Sequence, residues 1–323
     1  MAAALSKLAM TRLFTAIPLV FAVVSLTFAL VRLAPGDPAY ILAGDAPTEE
    51  FLAHVRQLYG LDLPIWRQYT HFLSSAFTGD FGTSIFFKKP VFEVILDRFP
   101  ATILLTMCAM AIAAAGGILL AAVAARRHGT PVDAAISTIS MVGYSIPTFW
   151  VGQILILIFA IQLRWLPVGG MVTARRSYTG VAHYWDVALH LILPATALGI
   201  FLMTMIARFT RTALIEALDR DFVTVARAKG ASERRILWNH AFRVAITTTV
   251  TIIGLEFGTV LVGAVLVETI FGWPGLGRLF YDAISKRDFP LLTGSFIFTA
   301  VIVVLVNALT DLMCAVLDPR LRK

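Results

Sequence analysis

Few side chains in this sequence have the types and spacing that chemistry requires. The six histidines, His54, His71, His128, His183, His190 and His240, are scattered. Only His183 and His190 recur at a helical spacing, and an interfacial position accounts for both. There is no G-x-x-x-x-G-K-[ST] loop to cradle phosphates, no H-E-x-x-H metal pair and no G-x-S-x-G nucleophile elbow. Cys108 and Cys314 both fall inside apolar runs and read as small buried side chains rather than a disulfide or metal pair. Catalytic residues and a metal site are therefore not expected, and the chain should not hydrolyse ATP itself.

Two features remain. Glu256 lies deep in an apolar run, between Gly254 and Gly258. An ionisable group in such a place is costly, so it faces protein or water. It could line a path for cationic groups or pair structurally with a neighbour. The second feature is the stretch RDFVTVARAKGASERRILWNHAFRVA, Arg220 to Ala245, a basic island broken by one glycine and flanked by long apolar segments.

The elements that must hold these features follow from composition. The chain has 323 residues, 58% apolar and 15% charged, with a net charge of +7 and a mean hydropathy of +0.81. Soluble domains carry about 25% charged residues. The charges form short clusters between apolar runs rather than one basic face, which excludes a nucleic-acid binder and indicates a membrane protein. Six apolar segments reach or approach the roughly 20 residues a bilayer requires: Leu13–Val31, Thr102–Ala125, Ile136–Leu163, Val187–Ala207, Val244–Val267 and Phe289–Leu317. Lipid leaves backbone polar groups no partner but their own helix, so an all-α membrane protein of six transmembrane helices is expected. The first run is longer than a signal h-region and is followed by VRLAPGDP rather than a cleavage site, so it reads as a retained anchor.

Of the 27 Lys and Arg, 15 fall in the segments 1–12, 126–135, 208–243 and 318–323, although these are together shorter than the connections on the other side. The positive-inside rule places both termini, and the island, in the cytoplasm. The first outer segment, 32–101, is too long to be a plain connector. Pro47, Thr48, Glu49 and Glu50 start a helix with Phe51, Val55 and Leu58 on one stripe, and Gly60 ends it. Trp66, Tyr69, Leu73 and Phe77 mark a second amphipathic helix. These form an outer lid, a headgroup-level layer or a packed cap. Pro147 and Pro194 interrupt spans three and four, and Gly254 with Gly258 makes a small-xxx-small pair in span five. Asn307 and Asp311, a turn apart in span six, read as structural or interfacial. The chain divides into 1–101, an anchor helix with a structured outer loop, and 102–323, a five-helix core carrying the cytoplasmic loop 208–243.

Within the island, Asp221 suits an N-cap, Phe222 to Lys229 make two helical turns, and Gly230 stands at C′. Ser232 caps a second helix with Glu233 in its first turn. Phe222, Val225 and Ala226 share a face, rimmed by Arg227 and Lys229. Such an apolar knob fits a groove on another protein or rests on anionic lipid.

The island resembles the cytoplasmic signature of binding-protein-dependent ABC-transporter permeases, E-A-A, three residues, G, nine residues, I-x-L-P. Gly230 matches the glycine and Val225-Ala226 the alanines, while Thr224, His240 and Phe242-Arg243 depart from it. ARAKG is the form seen in the dipeptide, oligopeptide and nickel branch. Other stretches resemble that branch in the same order along the chain: RLAPGDPA, YGLDLPIWRQY, GDFGTS, SIPTFW, WLPVGG, VETIFGWPGLGRL, RDFPLL and LDPRLR.

The resemblance implies a type I ABC-importer permease in a bacterial inner membrane. It implies a second homologous permease, two ATPase subunits that hold ATP and Mg, and an extracytoplasmic solute-binding protein. This chain would hold no cofactor. Coupling to the ATPase falls to Asp221, Phe222, Val225, Ala226, Arg227, Lys229 and Gly230. Glu256 is the translocation-path candidate, and Asp80, Gly82, Trp273, Pro274 and Gly275 are candidates for docking the binding protein. Peptides are the expected solute, with nickel chelates and glutathione-like molecules as alternatives on the same architecture. A channel or secondary transporter is the alternative of another class. No filter-like loop or charge ring and no inverted repeat marks the sequence.

Overall fold

A computed structural model describes residues 2–33, 39, 48–58, 60–174, 176 and 178–317. Most of RLAPGDPA and LDPRLR lies outside these, as do Pro47 and the side chains of Val55 and Leu58. The described residues are helical, apart from turns, loops and one isolated bridge between Thr83 and Pro90. The helices are α1 Ala2–Leu33, α2 Glu49–Leu58, α3 Ile65–Thr78, α4 Val91–Arg126, α5 Pro131–Ser145, α6 Thr148–Leu155, α7 Val181–Leu218, α8 Asp221–Ala228, α9 Phe242–Ile270, α10 Leu276–Ser285 and α11 Phe289–Leu317. A wider, π-type stretch, Ile156–Gln162, continues α6. Another, Ile236–Ala241, joins the single turn Glu233–Arg235 to α9.

Among the described residues, four helices are long and apolar enough to cross a membrane: α4, α7, Glu233–Val260 and α11. The pair α5 and α6 makes a fifth if counted as one span, bent by 98°. Within α1 the apolar stretch with described side chains is shorter, Phe14–Leu30.

The centre is α4 packed along α7. Small residues make this approach possible: a Cβ added at Gly117 would meet Ile206 Cβ at 2.9 Å, and one at Gly199 would meet the Ala109 carbonyl oxygen at 3.0 Å. Ala113, Leu198 and Leu202 fill the seam, and α9 adds Val260, Ala264 and Val267 to the same core. Gly254 and Gly258 of α9 both turn to α11, where a Cβ at Gly258 would meet Asn307 Oδ1 at 3.0 Å. The small-xxx-small pair and Asn307 thus shape one helix contact.

The two span prolines behave differently. Before Pro147, Ile146 takes an extended conformation (φ −81°, ψ 127°) and α5 ends there. Proline disfavours a helical residue before it. Pro194 is buried inside an unbroken α7 and does not interrupt it. A membrane helix carries a proline where its surroundings re-satisfy the freed carbonyl.

Both helices expected in the first long connection are present. Thr48 opens α2, its carbonyl accepting from Leu52 N at 2.9 Å. Gly79, at φ 74°, closes α3. Tyr69 and Phe72 of α3 pack on Phe28 of α1 at 5.3 and 5.5 Å between ring centroids, and the Tyr69 hydroxyl lies 2.7 Å from Ser25 Oγ. The layer is packed on α1, with Trp66 and Phe77 left exposed.

Candidate functional site

Two sites stand at opposite ends of the bundle. At one end, α7 runs on to Leu218 and hands directly to α8 through Asp219 and Arg220. Arg220, extended at φ −83° and ψ 151°, occupies the N-cap position, and no side chain caps the helix. Asp221 is therefore the first helical residue, not the cap, and its charge acts only on the helix dipole.

The other end of α8 fits the expectation closely. Lys229 is the C-cap, and Gly230 follows at φ 78° with open space around its Cα. Gly230 N donates to Arg227 O at 2.9 Å and Ala231 N to Ala226 O at 3.1 Å. This pair of bonds is the Schellman motif, which needs a left-handed residue at C′. Ser232 occupies the next N-cap position, but its hydroxyl makes no cap bond. Glu233 instead accepts from Arg227 Nε at 2.8 Å and Nη2 at 3.2 Å, and Arg227 holds its carboxyl below the usual range. Both partners are half exposed, so the pair fixes the turn's shape more than its stability.

Burial sorts the faces of α8. Val223 is fully buried and Ala226 nearly so, packed with Ile236 and the partly buried Leu218, Phe222 and Ala231. Asp221, Thr224, Val225, Arg227, Ala228 and Lys229 point outward, Val225 with 52% of its surface exposed. The face expected of Phe222, Val225 and Ala226 is thus divided: Ala226 anchors and Val225 is presented.

Behind α8, Leu237, Ala241 and Ala245 pack with Ala121, Ala122 and Ala125 of α4 and Leu214 and Ala217 of α7. Ile236 of the same stretch packs on Val223 and Ala226, so α8 rests on a segment that is itself packed against α4 and α7.

A second tie holds the same end. Arg211 of α7 donates to Asp133 with Nε at 2.6 Å and Nη2 at 2.7 Å, and Gly129 N and His128 Nδ1 lie 3.1 and 3.0 Å from the same carboxylate. Asp133 precedes the apolar run that begins at Ile136, and its side chain is buried. Arg211, followed by the Gly129 and His128 hydrogen bonds, holds the carboxyl well below the ordinary range. A depressed folded-state pKa means the pair contributes fully above the unfolded value of about 3.9 and is lost on acidification below it. We expect Asp133→Asn to cost about 2 kcal/mol, the scale of hydrogen bonds to charged groups. A lowered melting temperature of the purified permease reads this, with no change in the wild-type melt across neutral pH from this pair.

At the far end, Glu268 of VETIFGWPGLGRL forms a buried centre that sequence reasoning missed. Its carboxylate is fully buried. Thr102 Oγ1 donates to Oε1 at 2.7 Å and Arg278 N to Oε2 at 3.0 Å. Thr102 in turn accepts from Leu276 N at 2.7 Å, and Trp273 Nε1 donates to Ala101 O at 2.8 Å. A Cβ at Gly275 would fall on the Glu268 carboxylate, so only glycine closes this turn. Gly170 of WLPVGG donates to Phe271 O at 2.7 Å. GDFGTS and RDFPLL meet where Ser84 Oγ donates to Asp288 Oδ2 at 2.5 Å, with Phe86 N on the same oxygen at 3.1 Å.

The docking candidates fall into two groups. Asp80 and Gly82 are exposed, joined by Gly82 N to Asp80 Oδ1 at 3.1 Å, and Pro274 is half-buried. Trp273 is fully buried and Gly275 buried too, so these two shape the turn from inside. Glu256 is half-buried. At 100° per residue it lies across the helix from Gly254 and Gly258, and hence away from α11.

The sequence matches the family model described as "Binding-protein-dependent transport system inner membrane component" over residues 117–323, and the corresponding N-terminal model over residues 5–106. The chain belongs to this family. It is 39% identical to the di/tripeptide transport system permease protein DppB of Pseudomonas aeruginosa (strain UCBPP-PA14), over 96% of this chain and 97% of that protein. It is 39% identical to the dipeptide transport system permease protein DppB of Escherichia coli (strain K12), with the same shares covered. It is 41% identical to the probable peptide ABC transporter permease protein y4tP of Sinorhizobium fredii, over 91% of this chain and 92% of that protein. A solved structure described as "Crystal structure of an amino acid ABC transporter with histidines" superposes with a TM-score of 0.50 at 18% identity, covering 71% of this chain and 94% of that one. That likeness shows a shared permease fold.

Proposed function

We propose that this chain is a permease subunit of a binding-protein-dependent ABC importer that carries di- or oligopeptides across a bacterial inner membrane. The observation that carries this reading is near-full-length identity of 39% to two permeases named for dipeptide or di/tripeptide transport. In this reading α1 and the bent pair α5–α6 complete six spans, both termini are cytoplasmic, and residues 1–101 form an anchor and outer layer on the core 102–323. A second permease completes the pathway. Two ATPase subunits hold ATP and Mg and seat α8 through Val225, Arg227, Lys229 and Asp221, with Gly230 setting its angle. An extracytoplasmic binding protein docks near Asp80, Gly82 and Pro274. ATP-driven closure of the ATPases moves α8, and the shared packing of α4, α7 and α9 converts that movement into alternating access. Glu256 faces the path.

The test is the assembled transporter, reconstituted with its own binding protein. Di- and tripeptides are expected to stimulate ATP hydrolysis severalfold. Stimulation by nickel chelates or glutathione instead would move the solute assignment and leave the architecture. Solute flux from the chain without ATPase partners would overturn the importer reading.

A further inference from the structure

Three basic side chains from two distant parts of the sequence line one cavity at the Glu268 end, about 210 Å³ in volume. Arg98 comes from α4, Arg278 from α10, and Lys286 from the turn before α11; Phe86, Phe87 and Asp282 share the wall. Among the described residues, none of the three cations stands in an ion pair. On the lining itself three cations face one carboxylate, Asp282; the Glu268 and Asp288 carboxylates lie behind the wall, taken up by the Thr102 and Ser84 hydroxyls and by the Arg278 and Phe86 backbone N–H groups.

The surrounding framework holds these groups in place. Lys286 Nζ sits 3.2 Å above the centre of the Phe86 ring. Phe86 is fixed in turn by its N–H on the buried Asp288 carboxylate. Arg278 is held by its backbone N–H on Glu268 and by Nη1 on Gly272 O at 2.6 Å, which leaves other guanidinium donors for a ligand. Arg98 is half-buried, four residues before the apolar run that starts at Thr102. Like charges gathered in a partly enclosed space repel, and an anion with several acceptor oxygens relieves that repulsion best.

We propose that this cavity is a binding site for a phosphate-class oxyanion. Two sources supply that chemistry: the headgroup of an anionic phospholipid, for which the depth of Arg98 is suitable, or free phosphate. The site is independent of which solute the transporter carries.

The assembled transporter tests it in two arms. In nanodiscs containing phosphatidylglycerol, native mass spectrometry should detect a retained lipid. In detergent without added lipid, titration with inorganic phosphate should saturate if free phosphate is the source. Whichever probe binds, the double variant Arg98→Gln with Lys286→Gln should weaken binding at least about tenfold, since it removes two charge-assisted contacts. Asp282→Asn removes the opposing charge and should strengthen it, a gain that a misfolded protein could not give. Retention of neither probe, or binding unchanged in both variants, overturns the proposal.

Discussion

Replacing Glu268 with alanine, or Gly275 with valine, is expected to abolish accumulation of folded permease in the membrane. The Glu268 carboxylate is fully buried and accepts from the Thr102 hydroxyl and the Arg278 backbone N–H. Its removal leaves the buried Thr102 hydroxyl without its acceptor, at about 1–3 kcal/mol, and the part-buried Arg278 N–H without its own at a smaller cost. The turn itself then loses its template, because Leu276 N reaches the same network through Thr102. Since a typical domain is stable by only about 5–15 kcal/mol, this loss together with that of the turn's template removes a large part of the margin. Gly275→Val acts from the other side, placing carbon where the carboxylate sits. Glu268→Gln should fall between, because its amide keeps one acceptor oxygen and turns a donor toward another donor. Fluorescence-detected size-exclusion chromatography of membrane extracts measures all three. Wild-type yield and melting temperature for Glu268→Ala would show that the carboxylate does not hold this end together.

Why the sequence concealed Glu268 is instructive. The fifth apolar run ends at Val267, so Glu268 reads as the first polar residue of a connection, where carboxylates are common. In the structure α9 continues to Ile270, and the chain folds back so that Leu276 and Arg278 return to the glutamate. Only the returning turn makes it a buried acceptor. The same turn explains Trp273 and Gly275, which look like surface recognition residues in a glycine-rich loop and are instead its interior. An acidic residue preceding GWPGLG was the available signal.

Elsewhere local rules sufficed. Apolar length located the long helices, and Gly230 identified itself as the left-handed end of α8. Helical periodicity could not choose the buried face of α8, because Phe222, Val225 and Ala226 satisfy it as well as Val223 and Ala226 do. Ile236 and Leu218 made that choice through tertiary packing. The prolines show the same division. Pro147 ends a helix by its own local preference, whereas Pro194 lies buried inside a continuous one, which its local preference does not foretell.

Val225→Glu and Gly230→Pro should leave the permease folded in the membrane and reduce solute uptake tenfold or more, with ATP hydrolysis no longer responding to solute. Val225 is half exposed and outside the apolar cluster formed by Val223, Ala226 and Ile236. A carboxylate there costs the isolated subunit little. In the centre of a seated interface it is a buried unpaired charge, which costs several times more than a lost contact. Gly230 has φ 78°, which proline cannot adopt, and its N–H donates to Arg227 O. The substitution therefore undoes the Schellman turn and swings α8 relative to the helix that leads into α9, while position 230 itself has no neighbour to clash with. Ala226→Glu is the comparison, since it buries a charge against Ile236 and should lower the yield of folded protein as well. If α8 rests on lipid rather than on an ATPase, Val225→Glu will leave uptake and solute-stimulated hydrolysis at wild-type levels. The coupling assignment then fails even though the fold around α8 stands.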